Sequence, residues 1–208
     1  MHHLGHTLQL FDDDASRARV VARLVQQCLT DDSALLVLIG AGHWQQAARQ
    51  CAAMGIQVDD AVRRGQLTVL DAGDLLHRLI RSEVPDGDAF EETIGRLMRR
   101  LSAGPRPLRA YGELVDLLAS KGDFRGALEL ESFWNALLAD VPVDLLCGYS
   151  SIAFGNPESG GALDAICAAH GRVRADRDDA LASFLIGGTH PRCDGRLALT
   201  PMAVRRSG

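Results

Sequence analysis

Two glycines in Ile39-Gly40-Ala41-Gly42-His43-Trp44 follow an apolar run and open a helical pattern, which is where a phosphate-binding turn would sit. Backbone N–H groups of Gly40 and Gly42 could receive an anion there, although a two-glycine turn serves equally as a packing device. ATP hydrolysis asks for more: a Lys on the outer phosphates and a hydroxyl for magnesium. Those positions hold His43, Trp44, Gln45 and Gln46, so hydrolysis is disfavoured. Glu113 is the second candidate. It follows Tyr111-Gly112 and could accept a proton, ligate a cation or hold a ligand's donor group. A Glu in the first turn of a helix is also favoured by the helix dipole alone, by about 0.3–1 kcal/mol.

Further polar candidates are His6, Asp71 and Tyr149, each at or beside an apolar run. Trp134 shares a helical face with Leu130 and Leu137 and forms either a pocket wall or part of the core. Glu131 and Asn135 lie four apart, on a face that either binds a ligand or is solvated. His43 and His170 are candidate pH-responsive contacts or ordinary surface and helix-end residues. The histidines, including His2 and His3, form no paired-His helix motif, and no Cys pair has zinc spacing. No metal ligand and no catalytic residue is therefore assigned. Ser16, Ser33 and Ser150 lack a nucleophile-elbow sequence.

The elements that must carry these residues alternate. Ala34 to Ile39 reads as a strand buried on both faces of a parallel sheet. Before it, Val20, Val21, Leu24, Val25 and Cys28 recur at helical spacing behind the acids Asp12, Asp13 and Asp14, which suit the helix start. After it, residues 43 to 54 read as a helix stopped at Gly55 by a left-handed cap. Strands follow at 66–70, 108–111 and 143–147, with a further one at 7–11. Helices are expected at 72–81, 88–101, 113–120, 124–138, 163–170 and 178–186, and the last twenty or so residues read as a hairpin or loose tail. This pattern predicts a three-layer α/β/α domain with a mostly parallel central sheet. In such sheets the ligand crevice lies outside the carboxyl ends of the strands, which makes those ends the expected site.

The 208 residues are 47% apolar with a formal charge of −5, and the basic residues are dispersed among acids. That disfavours direct contact with nucleic acid. Five widely spaced cysteines read as free thiols in a reducing cytoplasm. No apolar run approaches a membrane span and no signal peptide is recognisable.

Several strings in order carry a resemblance: residues 6–11 (HTLQLF), 65–72 (GQLTVLDA), 109–118 (RAYGELVDLL), 127–135 (ALELESFWN) and 143–149 (VDLLCGY). Over residues 6 to 170 the chain resembles the MEDS family, the methanogen and methylotroph sensory domains related to the regulator DcmR. The resemblance implies a fold similar to degenerate RecA or KaiC-type ATPase cores. It also implies a non-catalytic input module for a small organic ligand or nucleotide, often joined to histidine kinases, anti-sigma-type kinases or DNA-binding regulators. Residues 1–170 would be the sensory domain and 171–208 an extension packed on it or partly loose. Nothing after residue 170 is long enough for an output domain, so the expected partner is a regulator in trans. Homo-oligomerisation stays open, and a ligand-free interaction scaffold is the third reading.

Overall fold

The structure is a computed structural model and describes residues 5–156 and 159–175. Six strands form one parallel sheet, in the order β3-β2-β6-β7-β1-β8. They are β1 His6–Phe11, β2 Ala34–Ile39, β3 Leu67–Asp71, β6 Leu108–Gly112, β7 Val143–Ser150 and β8 Arg172–Ala175. Helices cover both faces, so the architecture is the expected three-layer α/β/α. Because all six strands run the same way, their carboxyl ends share one rim.

On one face, Phe11, Leu35, Val37, Ile39 and Tyr111 pack against α1 (Asp14–Thr30), α2 (Ala41–Ala53) and α3 (Val58–Arg63). The alternate residues Leu8, Leu10, Leu36, Leu38, Cys147 and Tyr149 point to the other face. There they meet α4 (Ala72–Leu79), α6 (Arg96–Ser102), α7 (Leu114–Ala119), α8 (Phe124–Asp140) and α9 (Gly160–Ala169). Burial on both sides is why β2 reads as an unbroken apolar run instead of an alternating one.

Local signals explain most boundaries. Asp13 caps α1 by accepting the Ser16 N–H at 2.6 Å, the standard N-cap arrangement. Gly55, at φ 75°, closes the end of α2, in the left-handed region where glycine has no steric cost. The expected helix at 72–81 is shorter. Ser82 and Glu83 adopt positive φ (50° and 68°) and turn the chain into a small antiparallel hairpin, β4 (Ile80–Arg81) with β5 (Val84–Pro85). The expected helix at 88–101 is α5 (Gly87–Phe90), a π-helical turn at Glu91–Gly95, and α6 in series. Neither α3 nor β8 was apparent from periodicity, and β7 runs three residues past its expected end. The expected helix at 178–186 and the terminal hairpin or tail lie outside the described residues.

Candidate functional site

At the rim, four elements deliver charged side chains to one buried point. Glu113 follows β6 as the residue before α7, and its carboxylate does not cap that helix. It reaches across to the β2–α2 turn instead. Oε2 accepts from the Gly40 N–H at 3.0 Å and lies 2.7 Å from His43 Nδ1. Oε1 accepts from the Tyr111 hydroxyl at 2.8 Å and sits 3.2 Å from Arg17 Nη1 on α1. The same guanidinium nitrogen is 3.0 Å from Asp116 Oδ2. Asp116 in turn accepts the N–H of Ser150, the last residue of β7, at 2.7 Å. Arg17, Glu113 and Asp116 are all buried, and the Arg17 guanidinium stacks 5.0 Å from the Phe11 ring centre.

The electrostatics follow from this geometry. Burial opposes ionisation of Glu113, but the His43 hydrogen bond, the Arg17 charge and the Gly40 N–H outweigh it and hold the carboxyl below its usual range. For Asp116 burial wins over Arg17 and the Ser150 N–H, and its pKa is raised. His43 is raised chiefly by its hydrogen bond to Glu113. Its other nitrogen, Nε2, lies 3.3 Å from Asp14, so a carboxylate stands on each side of the ring. Burial presses on Arg17 too, yet the surrounding anions raise its pKa. The network can therefore hold a buried cation between two acids of unequal strength, with an imidazole that gains a proton readily.

Of the residues singled out by sequence, the structure brings Gly40, His43, Tyr111 and Glu113 together. Gly42 lies in the exposed first turn of α2, with no atom within 4 Å of where a side chain would start. Asp71 ends β3 and caps α4 through the Asp74 N–H at 2.9 Å. Trp134 is core, 1% exposed and edge-on to Phe90 at 5.0 Å. His6 begins β1, at the opposite end of that strand from the rim. Tyr149 turns to the other sheet face, where its hydroxyl donates to Glu131 at 2.6 Å.

Arg17 and Asp116 went unnoticed in the sequence, because an Arg inside an amphipathic helix and an Asp in a helix's first turn read as surface residues. A concavity of about 540 Å³ adjoins the network, lined by Phe124, Ser150, Ile152, Ala153 and Asn156 among others. Ile152 there is 70% exposed. None of the described helices is long and apolar enough to cross a membrane.

No curated protein matches the chain. The family model of the MEDS domain, for methanogen/methylotroph, DcmR sensory domain, matches residues 5–170, from the first described residue through α9. The chain thus belongs to the MEDS family of sensory domains.

Proposed function

We propose that this domain is a non-catalytic cytoplasmic sensor. Its input is a small organic molecule bound at the carboxyl rim of the sheet. Its output is contact with a regulator in trans, of the histidine-kinase, anti-sigma or transcription-factor kind. The observation that carries the reading is the concavity beside Ser150, which adjoins the buried Arg17–Glu113–Asp116 network. Its size is within the usual range of small-molecule sites. Phe124 and Ile152 offer apolar surface for a carbon framework, and Ser150 and Asn156 offer polar groups. Ser150 links the concavity to that network through its N–H, which goes to Asp116. Signalling then requires unequal ligand affinity for two conformations, and a charge network spanning β6, β7, α1 and α2 is an element able to differ between them.

Native mass spectrometry of protein purified from its own host tests the reading. A retained small molecule is expected, and Ala153→Trp, which fills the concavity, should abolish it without loss of helical circular dichroism. A molecule retained equally by Ala153→Trp would move the site elsewhere. An intact regulator complex with no small molecule, unaffected by Tyr111→Ala and Glu113→Ala, would favour the scaffold.

A nucleotide-binding relic is the second reading. Against it stands Glu113, whose carboxylate takes the Gly40 N–H that a phosphate would need and adds a negative charge to the turn. Calorimetric titration with ATP, together with phosphate release by the wild type and Glu113→Gln, separates the two. Turnover lost in a variant that keeps its helical circular dichroism would favour an enzyme.

A further inference from the structure

Away from the rim, on the face covered by α8 and α9, a second set of polar side chains is buried against Tyr149. His6, Glu131, Cys147 and His170 come from β1, α8, β7 and the residue after α9. All four are buried, and each directs one donor atom to a common point, the four atoms lying within 4.8 Å of one another. His6 Nε2 is 3.2 Å from both Cys147 Sγ and Glu131 Oε2. His170 Nε2 is 3.3 Å from Glu131 Oε1, and Cys147 Sγ is 3.9 Å from Glu131 Oε2. A tetrahedral ion with bonds of about 2.0–2.3 Å has ligand-to-ligand edges of about 3.3–3.8 Å. The separations lie close to that scale, and because His170 faces the other Glu131 oxygen, ligation through one oxygen needs a turn of the carboxylate.

The surrounding hydrogen bonds fix which ring nitrogens point inward. Asn135 donates its amide N–H to the Ala169 carbonyl at 3.0 Å, which turns its Oδ1 towards His6 Nδ1, also at 3.0 Å. An amide oxygen only accepts, so His6 carries its proton on Nδ1. His170 Nδ1 is 2.7 Å from the Ile166 carbonyl and carries its proton there for the same reason. In the neutral form of each ring Nε2 is then the bare nitrogen, and it faces a carboxylate and a sulfur. The polar hydrogens available to the cluster are the Tyr149 hydroxyl, which goes to Glu131 Oε1, and the Cys147 thiol. His170 Nε2 has no hydrogen bond among the described residues.

Protonating both rings would leave two cations against one carboxylate, a net charge of +1 in the interior, and protonating one ring gives zero without an ion. A divalent ion with one carboxylate and one thiolate also leaves zero, the state that burial favours, so charge balance permits the metal and the ligand geometry must argue for it. Outward N–H groups held by a carbonyl or amide oxygen are also the usual support of metal-bound histidines.

We propose that His6, Glu131, Cys147 and His170 bind one divalent transition-metal ion of the zinc class. The site is closed, with four protein ligands, which is the structural type and not the type that keeps a position open for catalysis. Binding forms bonds from the metal to His6 Nε2, His170 Nε2, Cys147 Sγ and one Glu131 oxygen. The thiol proton leaves to solvent, and no redox change occurs. Because the thiol must lose its proton to ligate, uptake should strengthen with pH. The ion would fasten the first strand, α8 and the α9–β8 turn together, independently of any rim ligand.

The test uses the full chain, stripped with chelator and titrated with Zn²⁺ and then Co²⁺. One ion per chain is expected, with thiolate-to-cobalt charge-transfer absorption and a raised thermal midpoint. Cys147→Ser should remove the absorption band. Asn135→Ala, which keeps every ligand, should weaken binding about 10- to 100-fold. His2→Ala combined with His3→Ala should change neither. A folded wild-type chain that takes up no ion beyond what the His2/His3 variant loses would overturn the proposal. So would an unchanged cobalt spectrum and affinity in Cys147→Ser.

Discussion

Glu113 accepts from or pairs with four groups, and every one of them is a donor or a cation: the Gly40 N–H, His43, the Tyr111 hydroxyl and Arg17. No orientation of a glutamine amide fits that set, since its NH₂ would face donors on either side. Glu113→Gln should therefore cost about 3–5 kcal/mol in urea denaturation, the range for removing one partner of a buried ion pair. A loss below about 1 kcal/mol would mean the carboxylate is not ionised in the folded protein. The pH dependence has a definite sign. His43 is raised in the fold, so its contribution is complete below the unfolded value of about 6.5 and fades as pH rises through the folded pKa. Glu113 is lowered, so its contribution is present above about 4.5 and is lost as pH falls through the folded value. Urea midpoints of His43→Gln against wild type, followed from pH 5 to 8, should differ most at the acid end and converge at the alkaline end. A gap that widened with pH would contradict the pairing.

The strands and helices show why some of this was legible and some was not. Runs such as Ala34 to Ile39 announce a doubly covered parallel strand, and a parallel sheet fixes where its carboxyl rim must be. Rim position alone puts Gly40, His43, Tyr111 and Glu113 in one neighbourhood. By the rim rule alone, Tyr149 is an equivalent of Tyr111. It is not, because side chains alternate across a strand and β7 runs on to Ser150, so Tyr149 falls on the face opposite Tyr111. His6, Glu131, Cys147 and His170 stand too far apart in sequence for any spacing motif to join them. The one local hint was Glu131 and Asn135 sharing a helical face. Gly148 was equally unreadable, since its role arises from a neighbouring strand: a Cβ there would lie 2.5 Å from the Tyr111 hydroxyl and 2.9 Å from the Phe11 ring. Gly148→Ala should destabilise by about 1–3 kcal/mol through overpacking, and much of that should be recovered in the double variant with Tyr111→Phe. No recovery would place the strain at Phe11 instead.

Among the described residues, one buried polar cluster lies at the rim and another under α8 and α9 on one face of the same sheet, and a sensory domain needs distant places to share energy. They adjoin along β7, where Ser150, whose N–H goes to Asp116, directly follows Tyr149, and on the other side of Tyr149 stands Gly148. It separates Cys147 from Tyr149, both in the Glu131 cluster, while the Tyr111 hydroxyl of the Glu113 cluster lies against it from the other face. A shift of Tyr111 would thus press on the strand segment that positions Cys147 and Tyr149. Spatial intermediacy alone is only an association, and a measured coupling is the physical test. Residues without shared partners normally add within about 0.3–0.5 kcal/mol, whereas residues coupled through a backbone shift interact by about 0.5–3 kcal/mol. The cycle of Tyr111→Phe with Tyr149→Phe, read by urea denaturation, should give an interaction energy in the second range. Repeating it with Gly148→Ala as background should change that energy, because the spacing between the faces has been altered. Additivity in both backgrounds would mean that the sheet insulates one cluster from the other, and that any signal from the rim leaves through α1 and α2 without crossing β7.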